Sequence, residues 1–156
     1  MLFRSTAYAA ESLKAAEDAQ AALDAELKAQ EGKWFKSYDK AKQLAAEVKT
    51  AGEKAASDAV AGKEKAKAEA TQAIADAKAA LTEAEGLLAK APKGKGSAAD
   101  IAAMKTDLAT AATTITEAET ALGNAKLLEA KAKAESARSA VAAVKDAVEA
   151  AKAAKK

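Results

Sequence analysis

The chain contains no cysteine and no histidine. Disulfides, thiolate nucleophiles, imidazole acid–base catalysis and the usual zinc sites are thereby excluded. A di-metal carboxylate bundle, which needs Glu-x-x-His motifs, falls with them. Proline occurs once, at position 92, and the five aromatics are one Trp, two Tyr and two Phe. No apolar run approaches the ~20 residues of a membrane span. Charge of one sign is also missing: 25 Lys and Arg face 23 acids, interspersed along every segment. A net charge of +2 gives no reason to expect nucleic acid or anionic lipid as the partner. The Ala-Lys tail at Lys152, Lys155 and Lys156 has a linker-histone flavour, but Asp146 and Glu149 interrupt it.

What fills the chain is alanine, about a third of its 156 residues. Leu, Ile, Val, Met and the aromatics supply only 27 positions. Alanine has the best helix propensity and little side-chain entropy to lose, but it buries little area. The expectation is an all-α fold: an elongated antiparallel bundle of long alanine-rich helices, ending in a helical hairpin.

The hairpin is the clearest pattern. Ile101, Met104, Leu108, Ala111, Ile115, Ala118 and Leu122 step by three and four, one stripe of a helix. Gly123-Asn124 interrupts, and the same alternation resumes at Leu127, Ala130, Ala134, Ala137, Val141, Val144, Val148 and Ala151. Upstream, a loop at 92–97 is set by Pro92 and Lys93-Gly94-Lys95-Gly96, with Ser97 as helix cap and Asp100 in the first turn. Gly94-Lys95-Gly96-Ser97 lacks the Walker spacing and a preceding strand, so it reads as solvated linker.

Residues 1–91 form the N-terminal helical part of what reads as a single domain. Residues 1–4 are expected to fray, and Ser5 or Thr6 can cap the first helix. One stripe runs through Ala9, Leu13, Ala16, Gln20, Leu23, Leu27 and Gln30. It resumes through Trp34, Tyr38, Ala41, Ala45, Val48, Gly52, Ala55, Ala59, Gly62 and Ala66, and a last one takes Ala70, Ile74, Ala77, Leu81, Ala84 and Leu88. No proline or polar loop marks a break, so the pattern predicts a helix continuing through Gly32. A single helix to residue 90 would exceed ~120 Å, so the chain must reverse. Besides Gly32, the candidate places are Thr50-Ala51-Gly52-Glu53 and Val60-Ala61-Gly62-Lys63.

No catalytic, cofactor-binding or metal-ligating set emerges, and the reading is of a protein without enzymatic activity or small-molecule substrate. The pairs Asp24/Lys28, Lys49/Glu53, Lys65/Glu69, Glu129/Lys133 and Lys145/Glu149 fit i,i+4 contacts on solvated faces. Ten threonines include six between 106 and 120, but only Thr71 and Thr82 keep the 11-residue spacing of ice-binding helices. Trp34, Phe35 and Tyr38 gather three of the five aromatics, with Trp34 and Tyr38 on one helical face. That cluster reads as an internal knot pinning an alanine interface, or else as an aromatic patch that binds a partner or a glycan. A homo-oligomer with its seam on these residues is the expectation.

Lys90-Ala-Pro-Lys-Gly-Lys-Gly-Ser97, Asp100-Ile101 with Met104-Lys105 and Asp107-Leu108, Ala130-Lys-Ala-Lys-Ala-Glu135, Gly32-Lys33-Trp34-Phe35 and Tyr38-Asp39 together resemble alanine-rich helical proteins of bacterial cell envelopes, often lipoproteins, of unknown function. The resemblance implies a structural or interaction protein of the periplasm or cell envelope and brings no functional residues. Without it, the chain reads as cytoplasmic. Ser5-Thr6-Ala7-Tyr8-Ala9 has the small residues of a cleavage site but no apolar core before it, so no intact signal peptide is expected. Ala-Gly-Lys-Glu-Lys-Ala-Lys-Ala-Glu at 61–69 motivates an alternative, a stress-protective helical protein of the late-embryogenesis type.

Overall fold

The computed structural model describes residues 7–91 and 97–153, with side chains from 100 onward in the second stretch. It is all-α: four long helices, and no strand among the described residues. These are α1 (Ala10–Glu31), α2 (Asp39–Ala89), α3 (Ser97–Gly123) and α4 (Leu127–Ala153). The readings placed on residues 1–6, on 92–96, on the Ser97 side chain and on 154–156 lie outside the described residues. The chain divides into two compact units, 1–65 and 66–156, with α2 contributing to both.

In the first unit α1 runs antiparallel to the opening half of α2. Ser12 Oγ donates to the Asp58 carboxylate, and at the other end Lys40 pairs with Glu26 at 3.1 Å. The buried residues here are Ala9, Gln30, Ala41 and Ala55, so the unit holds a thin seam rather than a core. Gly62 lets the turn that precedes α1 approach α2 closely: a Cβ there would strike the Tyr8 carbonyl oxygen and lie 3.0 Å from Tyr8 Cβ. This is the close-approach use of glycine.

Three expectations for this region are corrected. The chain does not continue through Gly32 as helix; α1 stops at Glu31 and α2 starts at Asp39. Gly52 and Gly62 lie inside α2, so neither is the reversal. Continuing α1 would have left its inner face in water, whereas reversal at 32–38 half-buries Leu13, Ala16, Ala19 and Leu23 against α2. Lastly, the α1 stripe is rotated: Gln20 and Leu27 are exposed, and Ala19 and Glu26 take their places. Glu26 and Gln30 turn inward as a hydrogen-bonded pair, which swings Leu27 to the surface.

The second unit packs the later half of α2 against α3 and α4. Nearly every position of the expected stripes is buried or half-buried, from Ala70 to Leu88, Ile101 to Leu122 and Leu127 to Val148; Ala151 is exposed. The core changes character along its length. Ala70, Ala121 and Ala130, with half-buried Leu122 against them, form a layer near the α3–α4 turn. Ile74, Ala77, Ile115, Ala118, Ala134 and Ala137 make the middle. At the far end Leu88, Leu108, Val141, Val144 and Val148 surround Ala84 and Ala111.

The α3–α4 hairpin appears as expected, but its turn differs in detail. Gly123 is the last helical residue, and the left-handed position belongs to Ala125, with φ 56°. Ala125 N–H donates to Leu122 O and Lys126 N–H to Ala121 O, at 3.0 and 2.9 Å. Those two bonds are a Schellman cap, a motif that ordinarily places glycine at the left-handed site.

Charge pairs between helices record the register. Glu69–Lys131 (2.8 Å), Asp76–Arg138 (3.8 Å) and Glu83–Lys145 (2.8 Å) link α2 to α4, each rung seven residues beyond the last on both helices. The two helices are therefore parallel. Along the core layers α3 falls from Ala121 to Leu108 as α2 rises from Ala70 to Leu88 and α4 from Ala130 to Val148, so α3 is antiparallel to both. Lys78–Glu119 and Lys133–Glu117 join it to them at 2.5 and 2.6 Å. Of the expected i,i+4 pairs, Lys49–Glu53 is present at 3.9 Å. Lys133 and Lys145 instead reach Glu117 and Glu83 on other helices. An i,i+4 spacing permits a pair, but a neighbouring helix at the same face offers a shorter one.

Candidate contact surface

The connection between α1 and α2 is built on Gln30. Its backbone oxygen accepts the Lys33 N–H at 3.2 Å, and its side-chain oxygen accepts the Ser37 N–H at 3.2 Å. Both ends of the loop 33–37 are thus tied to one buried residue. The Gln30 amide nitrogen donates to Glu26 at 2.7 Å, so its polar atoms are used on both sides. A buried amide with partners at each end holds its position, because freeing either would leave an unsatisfied group. At the α2 end, Tyr38 supplies the carbonyl that accepts Lys42 N–H, the first bond of the helix, while Ser37 Oγ donates to Asp39.

Gln30 and Lys40 together hold the Glu26 carboxyl below its ordinary range, the Gln30 hydrogen bond being the larger cause. Asp58 is lowered likewise, first by Lys54 and then by the Ser12 hydroxyl. In the second unit the partners Glu69 and Glu117 raise Lys131 and Lys133. These are surface pairs, and solvent screens them.

The clasped loop carries Trp34 and Phe35 outward. They are 92% and 88% exposed, and Tyr38 at its edge is 45% exposed. The aromatic cluster is therefore not an internal knot, and Trp34 and Tyr38 share no helix face, since residues 33–38 are not helical. Helical periodicity carried across Gly32 placed them on a stripe that the break removes. The signal for a loop was present in Gly32 together with Ser37 and Asp39, small polar residues suited to a helix start. The ladder at 69, 76 and 83 against 131, 138 and 145 was also legible as matched heptad spacing of acids and bases.

Other surfaces offer less chemistry. Shallow grooves beside α3 are lined by Ile101, Met104, Val148 and alanines with Asp100 and Asp107, and by Thr113, Thr116 and Thr120 with the Glu117–Lys133 pair. The α3 threonines donate their hydroxyls to the carbonyl four residues back, as Thr110 does to Thr106. Among the described residues no group of three or more acids could hold a metal ion, and no helix is long and apolar enough to cross a membrane. Comparison of the chain with protein-family models, with curated proteins and with solved structures finds no match.

Proposed function

We propose that the protein is a non-enzymatic structural or interaction protein of the bacterial cell envelope, acting by self- or partner-association through the patch of Trp34, Phe35 and Tyr38. One observation carries this reading: two large aromatic side chains stand almost wholly in solvent on a loop clasped at both ends by a buried residue. A fixed exposed aromatic pair loses little entropy on binding and supplies large contact area. The envelope location rests on the resemblance of the quoted segments. The layered core of the second unit favours a chain folded in dilute buffer over a protective chain ordered only on drying; a cooperative melt of the helical signal is expected.

The test is photo-crosslinking from position 35, with Phe35 replaced by benzoylphenylalanine, in bacterial cells producing the chain. Adducts to a second copy, another protein or lipid support the reading. Recovery of unlinked monomer alone would refute it.

A further inference from the structure

We infer that the Trp34–Phe35 loop docks onto the surface of an anionic lipid bilayer; this rests on the contact-patch reading and names its partner. The loop is amphipathic in a particular way. Between Gly32 and Tyr38 it has two aromatics and two lysines, Lys33 and Lys36, and no acid. The lysines flank the aromatics on both sides. Of the nearby charges, Lys40 pairs with Glu26, which Lys33 also helps to hold ionised, and Lys42 pairs with Asp39. Glu31 ends α1, and Asp39 begins α2, outside the loop. The overall charge of +2 conceals this local excess of base.

Area separates a bilayer from a protein partner. Tryptophan and phenylalanine bury roughly 150–250 Å² each, so the pair offers about 400 Å². A standard protein interface takes about 800 Å² from each partner. The exposed pair falls short of that unless the partner supplies a whole pocket, whereas the bilayer interface needs none. Tryptophan favours the headgroup level, and lysines beside it place their ammonium groups among anionic headgroups while their stems lie along the apolar boundary. The clasp at Gln30 holds the loop out from the helices, so insertion requires no refolding.

Trp34 is the only tryptophan, so its emission reports the site directly in the intact chain. Vesicles of phosphatidylcholine mixed with phosphatidylglycerol should shift that emission to the blue, shield it from acrylamide, and carry the protein down on sedimentation. Phosphatidylcholine alone should do so weakly, and added salt should reverse the effect. Lys33→Gln with Lys36→Gln should weaken partitioning about 25-fold, about fivefold per lysine. Phe35→Ala should weaken co-sedimentation with helicity unchanged. Absence of both the shift and co-sedimentation with the mixed vesicles would overturn the inference. A lipid-free blue shift that grows with protein concentration would do so too, assigning the patch to a second copy and leaving the contact-patch reading standing. Tryptophan emission unchanged by lipid and by concentration, together with unlinked monomer in the crosslinking experiment, would remove both.

Discussion

Ala134→Leu puts the alanine packing of the second unit to a direct test. Ala134 is fully buried in the middle layer, beside Ile74, Ala77, Ile115, Ala118 and Ala137, and Ala77 and Ala118 are themselves without exposed surface. The substitution adds three carbons. In open space, burying a leucine side chain would stabilise by about 1.5–3 kcal/mol. Where backbone-scale packing leaves no room, the same carbons force neighbours off their rotamers and cost about 1–3 kcal/mol. The two cases differ in sign, so the measurement needs no fine precision. For a unit of this size, 1 kcal/mol moves Tm by about 4–8 °C. Circular dichroism melts and urea titrations of the full chain should show Ala134→Leu less stable. Ala142→Leu, on the exposed face of α4, should stay within about 0.5 kcal/mol of the wild type. An unchanged or raised Tm for Ala134→Leu would mean that the alanine layers are not closely packed.

Three other outcomes follow from the geometry. Gly62→Ala should destabilise the first unit through its collision with the Tyr8 carbonyl, whereas Gly86→Ala, which meets nothing, should stabilise by about 0.5–1 kcal/mol; hydrogen exchange resolves the two units. Ala125→Gly should raise stability by about 0.5–1 kcal/mol in urea titrations, because a left-handed alanine costs about 1–2 kcal/mol and glycine returns part of that as unfolded-chain entropy. Stability against pH should show a small, salt-sensitive shoulder at each end, because these exposed pairs are screened by solvent. Glu26 and Asp58 have folded pKa values below their ordinary 4.5 and 3.8, so their contribution is present above those values and is lost as pH falls through the folded ones. Lys131 and Lys133 are raised above 10.5, so theirs is present below that value and is lost as pH rises through the folded ones. Urea midpoints measured across pH check both limbs, and a Glu26→Gln, Asp58→Asn variant should lose the acid shoulder.

The helices and their buried faces in the second unit were legible in the sequence because period-3.6 stripes depend on local geometry alone. Ala70 to Leu88, Ile101 to Leu122 and Leu127 to Val148 needed no knowledge of neighbours, since each stripe must face something apolar. The hairpin at 123–126 was legible for the same reason, helped by Gly123-Asn124. Tertiary structure decided the rest. Whether α1 ended at Gly32 depended on which face of α2 could cover its seam, a choice that local propensity does not encode across Glu31-Gly32-Lys33, where no proline marks a stop. Gly32 sits in ordinary right-handed geometry, so its backbone freedom did not force the break. The inward turn of Gln30 and the outward display of Trp34 and Phe35 followed from that reversal. Likewise Lys133 and Lys145 had partners four residues away in sequence, and only the arrival of α3 and α2 supplied closer ones. Local periodicity sets which side of a helix is buried; which helix buries it is a competition between surfaces distant in the chain, and in an alanine-rich sequence those surfaces are nearly alike.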